Sequence, residues 1–155
     1  MEEDILFMQE ALIEAEKAFE LDETPIGAVI VHKGEIIGRG CNRRNTDKNS
    51  LAHAEIIAIN EACEKMGDWR LEECIMYVTL EPCPMCAGAI VQARIPKVVF
   101  GAPSPKAGFG GSVINVLQME ALNHRCEVVQ GLGQEQASEL LKTYFKAMRN
   151  KKTNK

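Results

Sequence analysis

Pro25-Ile26-Gly27-Ala28-Val29-Ile30-Val31-His32-Lys33-Gly34-Glu35-Ile36-Ile37-Gly38 is the stretch from which the rest of the chain can be read. The apolar run Ala28 to Val31, the turn-forming pair Lys33-Gly34 and the second apolar run from Ile36 predict two strands joined by a tight turn. Toward the N-terminus, Ile5, Met8, Leu12, Ala15 and Phe19 recur every three or four positions between charged residues, so Asp4 to about Phe19 reads as an amphipathic helix. Toward the C-terminus, elements alternate. Ala54 to Cys63 is a helix with Ile56, Ile57, Ile59 and Ala62 on its apolar side, and Ile75 to Leu80 is a buried strand. Cys83 to Ala93, opening at Pro82 and Pro84, is a helix, and Lys97 to Phe100 is a strand. Pro103 to Gly111, with two prolines and three glycines, is a loop, followed by a fifth strand at Cys126 to Val129 and a closing amphipathic helix over Glu135 to Asn150. A hairpin followed by alternating helices and strands implies an α/β fold, with one mixed sheet covered by helices on both faces.

The 155 residues and 46% hydrophobic content suit one domain spanning 1–155 with a sizeable core. The longest apolar runs fall far short of the roughly 20 residues that cross a bilayer. The start, Met1-Glu2-Glu3-Asp4, is acidic where a targeting leader would be basic, so a cytoplasmic location is expected. Of the six cysteines only Cys83 and Cys86 form a tight pair. The irregular spacing of Cys41, Cys63, Cys74 and Cys126 suggests reduced, buried, hydrophobe-like thiols. The net charge of −4 argues against broad attraction to nucleic acid, but it is unevenly spread. Residues 1–23 hold nine acids against Lys17, whereas Lys142, Lys146, Arg149, Lys151, Lys152 and Lys155 make residues 142–155 wholly basic among charged types. That tail is either a solvated end or a local contact for an anionic partner.

Two clusters carry chemistry: His53-Ala54-Glu55 and Pro82-Cys83-Pro84-Met85-Cys86, each at a predicted helix start. Cysteines three apart there share a face, and the unpaired amides and dipole of the helix favour thiolate, the form that binds zinc. His53, Cys83 and Cys86 supply three ligands where a structural zinc needs four, which leaves a position for water, as in catalytic sites. Such a site acidifies water for hydrolysis. Glu55, near the metal without ligating it, is placed to carry protons. Alone, Cys-x-x-Cys is also a redox motif or half of a structural zinc site; together with His-x-Glu the arrangement resembles the signature of the zinc nucleobase deaminases.

Beyond that motif the chain closely resembles the tRNA-specific adenosine deaminase family over nearly its whole length. The resemblance is carried by Met8 to Leu12, Pro25 to Val31, Trp69-Arg70-Leu71, the run Thr79 to Ile90 (TLEPCPMCAGAI), Arg94-Ile95 and Asn123-His124-Arg125. It implies a cytidine-deaminase-like three-layer α/β/α sandwich with a five-stranded sheet, a homodimer with one Zn2+ per subunit, and the wobble adenosine of a tRNA anticodon stem-loop as substrate. By position, Asn42 and the backbone at Ala54 would contact the purine, and Ile26 and Gly27 would wall its pocket. From the residues alone, Asn42 also reads as a polar strand end, and Ile26 and Gly27 equally as an ordinary strand entry. Ser104 and Lys106 would meet neighbouring nucleotides, and Tyr144, Phe145, Lys146 and Arg149 would embrace the anticodon loop. Because Tyr144 and Phe145 are adjacent in a helix, only one can face inward. The chain departs from the family at Ser104, usually aspartate, and at Phe109, usually smaller. Trp69 is expected to pack, His32 to sit in a solvated hairpin, and His124 has no assigned role. The alternatives are a deaminase of a free base or nucleoside, such as guanine or cytosine, and a noncatalytic zinc-stabilised RNA-binding subunit. Retention of Glu55 argues against the second.

Overall fold

The computed structural model describes residues 2–153, with side chains through Lys151. Lys155 and the side chain of Lys152, both part of the basic tail, lie outside the described residues. The elements run α1 (Glu2–Glu20), β1 (Gly27–His32), β2 (Glu35–Cys41), α2 (Ala54–Met66), β3 (Cys74–Leu80), α3 (Pro84–Gln92), β4 (Lys97–Ala102), β5 (Glu127–Gln130) and α4 (Gln134–Thr153). The sheet order is β2-β1-β3-β4-β5. β1 is antiparallel to β2 and β3, and β3, β4 and β5 are parallel. The expected five-stranded mixed sheet is therefore present. Lys33 and Gly34 both adopt positive φ (49° and 80°), the paired left-handed conformation of a two-residue hairpin turn, and His32 pairs with Glu35 across it.

Strand alternation divides the core in two. Ala28, Ile30, Met76, Val78, Val98 and Phe100 face α2 and α3, whereas Val29, Val31, Tyr77 and Val99 face α1 and α4. The parallel step from β4 to β5 uses no helix. The irregular connection over 103–126 instead inserts Leu117, fully buried, and packs Phe109 and Val116 against the α2/α3 side. Phe109, one of the two residues expected to depart from the family pattern, thus anchors the loop against the core.

The buried stripe of α2 differs from expectation. It is Ala54, Ala58 and Ala62, while Ile56, Ile57 and Ile59 are half-exposed. The reason is the spacing to β2. A side chain at Gly38 or Gly40 would strike the carbonyl of Ala58 or Ala54, so the helix backbone lies directly on the strand and only alanine fits between. In α1, Ile5 is exposed and the inward stripe is Met8, Ala11, Leu12, Ala15 and Ala18. Cys41, Cys74 and Cys126 are buried free thiols, as expected; Cys63 is half-exposed. Trp69 does not pack inward. It is 58% exposed, flanked by the guanidiniums of Arg70 and Arg94 at 5.4 and 5.7 Å from the ring. His124 Nε2 donates to Ile95 O at 2.7 Å, which gives it a tethering role, and half-buried His32 approaches Glu73 at 3.5 Å.

Candidate active site

The carboxyl ends of β3 and β4 are the end of a parallel sheet at which ligand crevices form. Here the N-termini of α2 and α3 converge. His53 is the N-cap of α2 and Cys83 the N-cap of α3, both with extended backbone, and Pro84 fits the first helical position because it lacks the amide that would go unpaired there. Cys86, fully buried, lies one turn in. His53 Nδ1 is 3.6 Å from Cys83 Sγ and 3.6 Å from Cys86 Sγ, and the three ligand atoms all lie within 4.8 Å of one another.

The two thiols titrate as a pair. Cys83 is pushed down to about 5, first by the hydrogen bond from the Cys86 thiol, against the cost of burial and with help from the Cys86 amide and His53. Cys86 is pushed up by its bond to Cys83, by burial, and by the negative charges of Glu55 and Cys83. The protein groups alone support one negative charge on the two sulfurs, and a divalent ion between them would let both ionise. One imidazole and two thiolates in close convergence fit a soft or borderline metal ion. Glu55, 4% exposed in the first turn of α2, is raised to about 7, chiefly by burial. Cys83's charge adds to the shift, while its own backbone amide and the Cys86 thiol oppose it. It is a carboxyl group able to hold or release a proton near neutrality.

Above this cluster is a cavity of about 160 Å³ lined by Ile26, Asn42, His53, Ala54, Glu55, Cys83 and Ser104, all sequence-predicted. That is well under the about 300 Å³ at which sites for drug-sized ligands begin, so it admits one heterocycle rather than a whole nucleotide. Asn42 is buried, with its backbone amide on Ile26 O and its Oδ1 accepting the Arg44 amide at 3.1 Å, which leaves its side-chain nitrogen as the donor for a ligand. Gly27, predicted to wall the pocket, does not. One residue beyond Ile26 on the strand, it faces the other side of the sheet, where a side chain would collide with Ala11 O and Ala15 N of α1. Its amide donates to Thr79 Oγ1 at 3.2 Å.

The outlying predicted residues lie away from the cavity. Lys106 is exposed on the loop beside it. Tyr144 is turned inward against Phe19 and donates its hydroxyl to Asp22 O at 3.2 Å, so it is packed rather than presented as a surface contact. Phe145 is the outward member of the pair, 47% exposed, with Lys146 and Arg149 also exposed on α4. Lys151 reaches Asp22 Oδ1 at 3.1 Å, so the basic end of α4 is moored to the link that leads into β1. Sequence reasoning missed Thr24, Arg44, Leu80, Glu81 and Ala107 in the lining and the buried Glu23 beside it. For Arg44 there was a signal, its place two residues after Asn42.

A mixed sheet with a His/Cys/Cys cluster and a buried proton-holding acid at the carboxyl ends of its strands defines a deaminase-type hydrolytic site. A family model described as MafB19-like deaminase matches residues 1–149. The tRNA-specific adenosine deaminase of Bacillus subtilis (strain 168) is 53% identical over 152 residues, 98% of this chain and 94% of that protein. Among solved structures, one from a study of A-to-I editing by tRNA:A34 deaminases at the wobble position of transfer RNA superposes with a TM-score of 0.84 at 44% identity, covering 87% of this chain and 98% of the other. A guanine deaminase from Nitrosomonas europaea has a TM-score of 0.79 at 26% identity, covering 90% of this chain and 83% of its own. The protein belongs to the tRNA-specific adenosine deaminase family, within the MafB19-like deaminases.

Proposed function

We propose that this chain is a zinc hydrolase that converts the wobble adenosine of a tRNA anticodon to inosine. The observation that carries the reading is Glu55, a buried carboxyl group poised near neutrality beside three converging metal ligands on the floor of a cavity sized for one heterocycle. His53, Cys83 and Cys86 would hold one Zn2+ per chain, which when bound lowers the pKa of water at its open position to near 7. Glu55 takes the proton of the attacking water and delivers it to the ring nitrogen adjacent to the reacting carbon. It then takes the second water-derived proton, from the hydroxyl now on that carbon, and passes it to the leaving amine, so that adenosine and water yield inosine and ammonia. Asn42 donates from its side-chain nitrogen to an acceptor on the purine, and Ile26 and Ala54 wall the ring.

The surroundings support RNA over a free base. Ser104 and Lys106 on one rim, and Phe145, Lys146 and Arg149 on α4, offer hydroxyl, cationic and stacking contacts to an anticodon loop. Tyr144 serves by fixing α4 against Asp22. The whole chain acts as one catalytic domain. It pairs with a second copy through the outer faces of α2 and α3, where Ile56, Ile59, Met85 and Ala89 are half-exposed. No helix among the described residues is long and apolar enough to cross a membrane, and a cytoplasmic site of action fits a tRNA substrate. The resemblance to a guanine deaminase makes a free-base reaction the competing reading. Incubating the protein with total tRNA and measuring inosine by mass spectrometry, with free guanine and cytidine as parallel substrates, tests the assignment. Inosine in tRNA with neither control consumed is expected, and turnover of guanine alone would move the assignment to the competitor.

A further inference from the structure

Two buried carboxylates beside the pocket take no part in the chemistry above. Glu23, 1% exposed, lies between α1 and β1. Its Oε1 accepts the Asn45 amide at 3.2 Å, and its Oε2 accepts the Thr46 amide at 2.6 Å and hydroxyl at 2.7 Å. Glu81, 3% exposed, follows β3. Its Oε1 accepts the Ser104 amide at 3.0 Å and the Ser112 hydroxyl, and its Oε2 accepts the amides of Gly110 at 3.0 Å and Ser112 at 2.9 Å. No ion pair among the described residues reaches either group.

A carboxylate has about four lone-pair sites, and in Glu81 all four are engaged. Although it borders the cavity two residues before Cys83, it has no acceptor left for water or substrate. What it does hold is a loop. The backbone of 104–112 winds around it so closely that a side chain at Gly108 would collide with the carboxylate. Glu23 performs the same service for the segment after Asn42. The two loops form two rims of the cavity. One brings Asn42 and Arg44 to it, the other Ser104 and Ala107. Neither rim belongs to a helix or a named strand beyond Asn42's neighbour Cys41, so the regular hydrogen-bond ladders do not fix them. Charge-assisted bonds from backbone amides to a buried carboxylate are the stronger kind and set backbone position directly.

We propose that Glu23 and Glu81 are positioning residues, one for each rim, and that binding of the nucleotide around the reacting base depends on both. The activity side of this proposal rests on the adenosine deaminase reading above; its structural side does not. Glu23→Gln and Glu81→Gln in the full chain keep shape but turn one acceptor oxygen into a donor facing an N–H. Hydrogen exchange should then quicken about tenfold at 43–49 in the first variant and at 103–113 in the second, with β3 and β4 unaffected in both. On an anticodon stem-loop, KM should rise about tenfold with kcat within about threefold of wild type, at unchanged zinc content. Ser112→Ala, which removes a single donor to Glu81, should shift exchange at 103–113 in the same direction by less. Exchange that rises evenly over the chain, stays constant in the rims, or accompanies a fall in kcat at constant KM overturns the proposal. A wild-type protein that deaminates no adenosine would sink the functional reading and leave the exchange result to decide the rim assignment by itself.

Discussion

On the α1 side of the sheet, acidic side chains are answered by cations; at the pocket they meet amides, hydroxyls and a thiol. Asp4 accepts from the Tyr77 hydroxyl at 2.6 Å and lies 3.3 Å from Lys97 Nζ, while Arg39 bridges Glu10 at 2.6 Å and Glu14 at 3.2 Å. Asp4 is accordingly held below the usual carboxylate range, because Tyr77 and Lys97 more than offset burial. Glu55, with no cationic side chain paired to it among the described residues and only its own amide and the Cys86 thiol as donors, is displaced the opposite way. An acid whose charge is answered serves the fold. One whose charge is left unanswered is available for proton transfer.

The most severe way to break this contrast is Glu55→Gln. If Glu55 is held uncompensated for catalysis, deamination should fall by about 100-fold to 10,000-fold while the thermal midpoint stays at or above that of wild type. A midpoint several degrees lower would place Glu55 among the structural acids. A smaller effect is expected from Gly40→Ala, whose new methyl strikes the Ala54 carbonyl at the start of α2. Overpacking of this kind costs about 1–3 kcal/mol, measurable by urea denaturation, and should lower activity through the shifted His53 and Glu55. Unchanged stability and turnover would show that α2 can slide without consequence. The mildest change is Asp4→Asn, at the end of the sheet away from the pocket, with a loss of about 1 kcal/mol at pH 7 and no effect on kcat. Since the folded state depresses the Asp4 pKa below 3.8, its stabilisation is complete above that value and disappears as pH falls through the folded pKa. The gap between wild type and variant should therefore close in acid, and a gap independent of pH would remove Asp4 from the charged network.

The His/Cys/Cys cluster could be read from sequence because its parts are local. His53-x-Glu55 and Cys83-x-x-Cys86 each occupy one turn, and the sheet only had to bring two helix starts together. The hairpin and the five strands were likewise readable, being short-range patterns of apolar alternation and turn chemistry. Glu23 and Glu81 were not, since their partners are mostly backbone amides some twenty to thirty residues away, and an amide carries no residue label. Gly27 was misplaced for a different reason. Its neighbour Ile26 does border the cavity, but strand geometry sends the next residue to the opposite face. The isoleucines of α2 misled because hydrophobicity marked them as core, while the contact with Gly38 and Gly40 demanded small size instead.

That last contact has a consequence for redesign. Where α2 rests on β2, main chain meets main chain, so the height of His53 and Glu55 above the sheet is set by atoms common to all twenty amino acids. Ile26, Ala107 and Ser104 can then be exchanged to admit a differently shaped heterocycle without re-siting the ligands beneath it. In a saturation library, tolerance should be broad at 26, 104 and 107 and nearly nil at 38, 40, 54 and 58. The molecule thus separates the part that can learn a new substrate from the part that must not move.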